Sequence, residues 1–217
     1  MMLYSDISKV VYPIARVEAN TFFLLGTCFL SNKEGIFIST AHEIAGCENN
    51  LAIVLNDLES IQDFQDTSIN NRKLVFVKVV DIDPIHDICI LKCELSLTTK
   101  LNLVALDNIS VGEEVSIFGY PHCNYGRMVL TQQNANVGAK ILIERAGIKM
   151  KNIVLNIQSR PGQSGSPIIR NHEIVGMLVG SYVPAGGGGI SLGGIDPQTL
   201  HQTTHAISSE YIMEMLK

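Results

Sequence analysis

The sequence predicts an all-β protein that folds as a sandwich or as barrels. Short apolar runs rich in Val, Ile, Phe and Leu recur along the chain, and turn-forming residues separate them. Helical periodicity is weak over most of the chain. Many short strands joined by frequent turns are typical of sandwiches and barrels.

The candidate strands follow one another through most of the chain. We place them at residues 22–31, 35–41, 51–55, 74–83, 87–92, 114–119, 128–133, 140–143, 153–158, 167–169 and 173–179. The last two strands form a predicted hairpin that turns at Asn171 and His172.

Three segments interrupt or follow the strands. Residues 56–73 are polar and predict a long surface loop, and residues 98–110 predict a crossing from one half of the molecule to the other. Residues 206–217 predict a closing helix, with Ser208 or Ser209 as its cap. Its apolar residues have near-helical spacing: Ile207, Tyr211, Ile212 and Met215.

Composition places the chain among globular proteins. Its 217 residues are 46% hydrophobic and 17% charged, which suits one large all-β domain or two small ones that share a core. The net charge of −5 disfavours a general nucleic-acid binder, because phosphate contacts need clustered Lys and Arg. No window reaches the apolar length of a transmembrane helix, so we predict no membrane partner.

The N-terminus and the cysteines predict the compartment. Residues 1–16 have no basic segment ahead of an apolar run, so we expect no signal peptide and a cytoplasmic protein. Five cysteines without regular spacing are poor evidence for a disulfide framework and favour reduced thiols: Cys28, Cys47, Cys89, Cys93 and Cys123. Cys89 and Cys93 would share a strand face, but no further ligand pair accompanies them, so we predict no metal and no cofactor.

The segment from Pro161 to Pro167 is the part of the sequence most informative about function. Small residues flank Ser164 between two apolar strands. A nucleophilic serine needs open space around its Oγ atom and backbone N–H groups aimed at the developing oxyanion, and glycine permits the required turn. On its own, the segment is explained equally well as an ordinary turn of Gly, Ser and Pro.

Two further residues complete a catalytic set. His42 ends a strongly apolar strand and Asp87 begins another, although a plain strand-end histidine or a turn aspartate is also common at such positions. A serine nucleophile needs a base to take its proton, and that base needs a carboxylate that holds its tautomer. The order His42, Asp87, Ser164 is that of chymotrypsin, and the three are far enough apart to lie on different loops.

From about residue 11 to its C-terminus, the chain resembles the trypsin-like peptidases. Within them it is most similar to the protease domain of the HtrA/Deg group, without a PDZ domain. The matching segments resemble the strands that lead to the family's histidine, its aspartate strand, the beginning of its second barrel, its serine loop and the start of its last helix. They are residues 26–30, 35–42, 87–92, 111–121, 162–167 and 205–208.

This resemblance implies two six-stranded antiparallel β-barrels of the chymotrypsin type, followed by a C-terminal helix. The chain would then be a single peptidase domain over residues 1–217, with the N-terminal barrel at about 11–100 and the C-terminal barrel at about 111–205. The closing helix would occupy residues 206–217.

The resemblance also implies where the functional groups lie. The catalytic triad His42, Asp87 and Ser164 would lie in the cleft between the barrels, with an oxyanion hole at the backbone N–H groups of Gly162 and Ser164. Substrate would pair as an extended strand next to Val179, Gly180 and Ser181. Gln158 would lie near the floor of the primary specificity pocket.

Together, these features predict a serine endopeptidase that hydrolyses peptide bonds of protein or peptide substrates. The competing interpretation is a non-catalytic protease-fold module that binds peptides or partners; its usual sign is the loss of a triad residue, and none is lost here. Sequence alone does not separate a broad protease from one that cleaves only its own polyprotein or a single partner.

Three positions depart from the family pattern, namely Cys28, Gln163 and Ser166. Gln163 stands where digestive proteases have the aspartate that pairs with a new N-terminus, so that activation route is not expected.

Gln158 carries no negative charge, which predicts no preference for cleavage after Lys or Arg. The four glycines at 186–189 are explained equally well as a flexible surface linker or as a loop whose ordering controls activity.

Overall fold

The computed structural model describes residues 6–19, 21–46, 49–69, 72–182 and 203–217. β-Strands dominate these residues, and the helices are few and short. None of the helices in the described ranges is long and apolar enough to cross a membrane. The all-β class predicted from the sequence is confirmed.

The N-terminal half forms a closed six-stranded barrel. Its strands are neighbours in the order β1–β2–β3–β6–β5–β4, and antiparallel pairing of β1 with β4 closes the barrel. The sequence predicted five of these strands but not β1, because Pro13, Arg16 and Glu18 obscure its apolar pattern. The strands are β1 (Val11–Glu18), β2 (Thr21–Leu30), β3 (Ile36–Ser39), β4 (Leu51–Val54), β5 (Leu74–Asp83) and β6 (Ile88–Lys92).

The C-terminal half forms a seven-stranded sheet in the order β11–β8–β9–β10–β13–β12–β7. Pairing of β11 with β12 joins the first six strands into a ring, and β7 adds to β12 in parallel. The predicted chymotrypsin-like architecture is therefore confirmed, with β7 as an addition. The strands are β7 (Asn102–Leu103), β8 (Glu114–Gly119), β9 (Thr131–Arg145), β10 (Ile148–Leu155), β11 (Pro167–Arg170), β12 (Glu173–Tyr182) and β13 (Thr203–Ser208).

Two strand predictions in this sheet have different outcomes. The hairpin of β11 and β12 does turn at Asn171 and His172, which have φ angles of 50° and 65°, as a tight hairpin turn requires. The sequence wrongly predicted separate strands at residues 128–133 and 140–143. Residues 128–130 are not strand, and one long strand, β9, includes both 131–133 and 140–143, because its first part pairs with β8 and its second part with β10.

The C-terminal helix is shorter than predicted. Helix α2 spans Ser209–Met215, whereas residues 206–208 belong to β13. Pairing with both β10 and β12 holds these residues as strand, and this outweighs the near-helical spacing of their apolar side chains. Ser208 is the cap, because its side chain accepts a hydrogen bond from the N–H of Glu210.

The core consists of two groups of buried side chains. The larger group fills the barrel and continues across the interface, where Phe29 and Phe37 of the barrel belong with Phe118 and Tyr120 of the second half. The smaller group fills the interior of the second sheet, with Ile153 among its members. Fully burying each such side chain contributes about 1.5–3 kcal/mol, so the shared interface holds both halves together.

Thr27, fully buried in β2, provides the polar connection across this interface. Its N–H donates to the carbonyl of Ser164 (3.0 Å), and its carbonyl accepts from Ser39 Oγ (2.8 Å). Thr27 Oγ1 donates to the carbonyl of Gly162 (2.8 Å) and accepts from the N–H of Tyr120 (3.1 Å). Thr27 therefore joins the barrel to two separate segments of the second half.

Replacing Thr27 with Val should lower the free energy of unfolding by about 3 kcal/mol. The substitution keeps a similar shape but leaves the buried Tyr120 N–H without a partner and the Gly162 carbonyl with only the weak thiol donor of Cys123, at 3.7 Å. Denaturant unfolding measures the loss. The matched control is Thr21→Val, at an exposed threonine of the same strand, which should change the free energy by less than about 0.5 kcal/mol. Equal, small changes in both variants would contradict this role for Thr27.

Candidate active site

The structure brings His42, Asp87 and Ser164 together where the barrel meets the second sheet. Nδ1 of His42 is 2.6 Å from Asp87 Oδ2, and Nε2 of His42 is 3.2 Å from Ser164 Oγ. A carboxylate, an imidazole and a hydroxyl thus form one continuous row of hydrogen bonds. Such a row can pass the hydroxyl proton to the imidazole while the carboxylate stabilises the resulting positive charge.

Strand pairing explains why His42 and Asp87 meet. Ser39 at the end of β3 pairs with Cys89 near the start of β6, so the residues after β3 and before β6 emerge at the same end of the barrel. His42 lies in the one-turn helix α1 (Ala41–Ile44), which begins there.

Asp87 is held tightly in place. Its backbone adopts a left-handed conformation with φ of 59°, which is uncommon for aspartate and concentrates at functional sites. Asp87 Oδ1 accepts from the backbone N–H of His42 (2.9 Å), and its carbonyl accepts from the N–H of Ala41 (3.2 Å). Its side chain is only 11% exposed. These bonds fix the direction of the carboxylate toward the imidazole.

His42 has a strongly shifted pKa. The hydrogen bond to Asp87, and after it the carboxylate of Glu43, raise the pKa of His42 to about 9, even though burial opposes the shift. Because this value lies above neutral, the imidazolium form dominates near pH 7, and the neutral base accumulates only as the pH rises toward 9. The ability of His42 to accept the Ser164 proton should therefore increase across this pH range.

The loop that carries Ser164 has a backbone that only glycine permits at Gly162. Its φ is 88°, and a Cβ atom there would lie 2.7 Å from the sulfur of Cys123. The carbonyl of Pro161 accepts a hydrogen bond from the N–H of His122 (2.6 Å). In a trans peptide the C=O and N–H groups point in opposite directions, so the N–H of Gly162 points away from His122. Within the described ranges, the N–H groups of Gly162 and Ser164 donate to no acceptor. Two unpaired donors beside the hydroxyl are what an oxyanion hole needs.

Gln163, the residue before Ser164, is almost fully buried. Its Oε1 accepts from the N–H of Arg160 (2.7 Å), and its Nε2 donates to Oε1 of Gln133 in β9 (2.7 Å). The second sheet therefore anchors the serine loop through a neutral amide, in place of the aspartate found at this position in digestive proteases.

The residues predicted to bind substrate do not all come together. Val179, Gly180 and Ser181 line a groove that also includes His86 and His205. In β12, a register shift between Leu178 and Gly180 leaves Val179 outside the regular pairing with β13.

Gln158 does not line this groove. Its Oε1 accepts a hydrogen bond from Nη1 of Arg160 at 3.2 Å. The glycine run predicted to act as a regulatory loop, residues 186–189, lies outside the described residues.

The sequence did not predict three residues next to the site. Thr27 lies in the Gly26–Leu30 segment, where nothing in the pattern indicates that its hydroxyl holds the serine loop. His86 stacks on Tyr211 of α2 at 4.1 Å between ring centroids, and its Nδ1 is 2.6 Å from Asp83 Oδ2, which supports the turn before Asp87. Glu43 lies 3.6 Å from His42 Nε2, and its only signal in the sequence is a charge next to that histidine.

The described residues contain no group of three or more His, Cys, Asp and Glu side chains that could hold a metal ion. Four cysteines of these residues are buried free thiols: Cys28, Cys89, Cys93 and Cys123.

Comparison with protein families agrees with this geometry. The model of the trypsin-like peptidase domain matches residues 26–179, well over half of the chain. A probable periplasmic serine endoprotease, DegP-like, of Pseudomonas fulva is 24% identical over 168 residues, which cover 75% of this chain and 30% of that protein. The chain spans less than a third of the length of the curated relatives it matches.

Solved structures show the same fold. The protease domain of MamO from Magnetospirillum magneticum, in its apo form, has a TM-score of 0.70 at 13% identity, over 99% of this chain and 100% of that one. The HtrA-type protease AlgW, solved with a decapeptide, has a TM-score of 0.68 at 15% identity, over 99% of this chain and 66% of that one. The fold is that of the trypsin-like, HtrA-type protease domains.

Replacing Gln163 with Leu should loosen the serine loop and lower the free energy of unfolding by about 1–3 kcal/mol. The partly buried backbone N–H of Arg160 and the side-chain amide of Gln133 would lose their partner. Denaturant unfolding measures the stability, and hydrogen exchange of residues 160–166 should become faster. Gln62→Leu, at an exposed loop position, is the control and should leave both quantities nearly unchanged. Unaltered exchange in Gln163→Leu would show that this amide does not anchor the loop.

Proposed function

Because the chain belongs to the family of trypsin-like peptidase domains, we propose that it is a serine endopeptidase that hydrolyses peptide bonds of protein substrates. The observation that carries this proposal is the unbroken row of hydrogen bonds from Asp87 through His42 to Ser164. All three residue types of the triad are present, in bonding distance and in the order in which proton transfer requires them.

The proposed reaction begins with attack of Ser164 Oγ on the scissile carbonyl. His42 Nε2 takes the serine proton as the new bond forms, and Asp87 stabilises the imidazolium through Nδ1. The negative charge on the tetrahedral oxygen is received by the N–H groups of Gly162 and Ser164. His42 then gives its proton to the amine that leaves. Water next attacks the acyl carbon while His42 takes its proton, and His42 returns that proton to Ser164 Oγ as the bond from Oγ to the acyl carbon breaks and the carboxylic acid leaves.

The groove beside β12 supports an extended peptide as the substrate. In β-augmentation, a peptide pairs with backbone groups of a strand that are not already paired. The register shift between Leu178 and Gly180 interrupts the pairing of β12 with β13 at Val179, which supports this binding mode. The structure of AlgW, which shares this fold, contains a decapeptide. We propose that the substrate of this chain also binds as an extended segment, with Val179, Gly180 and Ser181 contacting its backbone.

Replacing Ser164 with Ala should lower turnover of a casein-like or peptide substrate by on the order of 10⁴–10⁶, because the nucleophile is lost. A fluorophosphonate probe should label the natural protein at Ser164 and should not label the Ser164→Ala variant. The matched control, Ser110→Ala, removes an exposed hydroxyl elsewhere and should keep both activity and labelling. If the natural protein resists labelling under all conditions while still binding peptides, it is a non-catalytic peptide-binding module instead.

We propose that Gln158 lies in the primary specificity pocket, apart from the groove lined by Val179, and that this pocket does not favour Lys or Arg. Gln158 offers no negative charge, and its amide is already bound to the guanidinium of Arg160, which would repel a cation. Profiling with a peptide library should show poor cleavage after basic residues. Arg160→Gln should improve relative cleavage after Lys and Arg, whereas Lys149→Gln, which removes an exposed charge elsewhere, should not. Efficient cleavage after Lys or Arg by the natural protein would contradict this assignment of the pocket.

A further inference from the structure

Glu43 places a second carboxylate at the imidazole of His42. Its Oε1 atom lies 3.6 Å from His42 Nε2, while Asp87 Oδ2 lies 2.6 Å from Nδ1. The side chain of Glu43 is only 18% exposed, so solvent weakens its charge far less than that of a surface glutamate. Each nitrogen of the imidazole ring therefore has its own carboxylate.

A neighbouring glycine creates the space for this carboxylate. A Cβ atom at Gly26 in β2 would lie 2.9 Å from Cδ of Glu43, so only glycine leaves room for the side chain in its present position. Cys123 is a further titratable group near Glu43, and burial, followed by the charge of Glu43, raises the pKa of its thiol to about 12. Because Cys123 therefore stays neutral, the charged groups that act on His42 are Asp87 and Glu43.

The two forms of the imidazole respond to Glu43 in opposite ways. In the neutral form that can act as a base, Nδ1–H donates to Asp87, and Nε2 presents a lone pair to the hydroxyl of Ser164. A carboxylate repels that lone pair. In the imidazolium form, Nε2 carries a proton, and a carboxylate attracts this positively charged N–H. Glu43 and Ser164 Oγ then compete as acceptors of its hydrogen bond.

We propose that Glu43 is a positioning residue that stabilises the imidazolium of His42 through Nε2. This inference rests on the proposed function and deepens it. In the resting enzyme, Glu43 keeps His42 protonated, which delays the onset of activity to higher pH. During the reaction, the same contact stabilises the imidazolium that forms when His42 takes the proton of Ser164. Glu43 thus sets both the pH range of activity and the rate within it.

The first test measures His42 without reference to catalysis. In an NMR titration of the imidazole, Glu43→Gln should lower the midpoint of His42 by about one pH unit, because the amide has no charge. Gly26→Ala retains the carboxylate but displaces it, so it should lower the midpoint by a smaller amount. Glu34→Gln removes the charge of an exposed glutamate before β3, at the opposite end of that strand from His42, and should leave the midpoint unchanged. Gly26→Ala also serves if Glu43→Gln does not fold.

The second test measures the rate of fluorophosphonate labelling, or kcat/KM, against pH. In Glu43→Gln the acidic side of the profile should move to lower pH by the same amount as the NMR midpoint. The maximal labelling rate or kcat/KM at high pH should fall by about threefold. This is the change expected when a base whose pKa is lower by about one unit loses roughly half of that difference in the free energy of the transition state. A residue with a purely structural role would lower the whole profile without moving its acidic side.

The outcomes separate the two proposals. An unchanged His42 midpoint in both Glu43→Gln and Gly26→Ala overturns the role of Glu43 and leaves the serine endopeptidase intact. A lowered midpoint without labelling or hydrolysis by any variant, including the natural protein, overturns the proposed function, while the contact between Glu43 and His42 is supported.

Discussion

The buried hydroxyl and backbone of Thr27 are the contacts on which the arrangement of this protein depends. A buried polar group without a partner costs about 1–3 kcal/mol, and Thr27 pairs groups from β2, β3, the end of β8 and the serine loop at a single point. Apolar contacts hold the barrel against the second sheet, but they are not directional. The hydrogen bonds of Thr27 determine the position in which the two halves meet.

That position also assembles the site. His42 and Asp87 belong to the barrel, whereas Ser164 belongs to the second half, so the distance of 3.2 Å between the imidazole and the hydroxyl exists only if the halves are correctly placed. Thr27 draws the carbonyls of Gly162 and Ser164 toward the barrel. The same contacts therefore hold the serine loop against the barrel and keep Ser164 beside His42.

Charge determines how this geometry is used. His42 lies beside Asp87 and Glu43, and the pKa of about 9 that results places the imidazole in its charged form at neutral pH. A raised pKa makes the neutral imidazole a stronger base, but it also lowers the fraction of His42 that is neutral at pH 7. The balance depends on a carboxylate for which Gly26 makes room, at a position outside the proposed triad.

The sequence by itself determined the all-β class, most of the strands, the β11–β12 hairpin and the candidates His42, Asp87 and Ser164, because apolar runs, turn residues and chemical types are local properties of the chain. Tertiary structure decided the rest. β1, β13 and the full length of β9 are strands because each pairs with two other strands of its sheet, against weak or misleading local patterns. The contacts of Thr27 and Glu43 likewise arise only when β2, α1 and the serine loop pack together, since no local pattern encodes a distance between residues that are far apart along the chain.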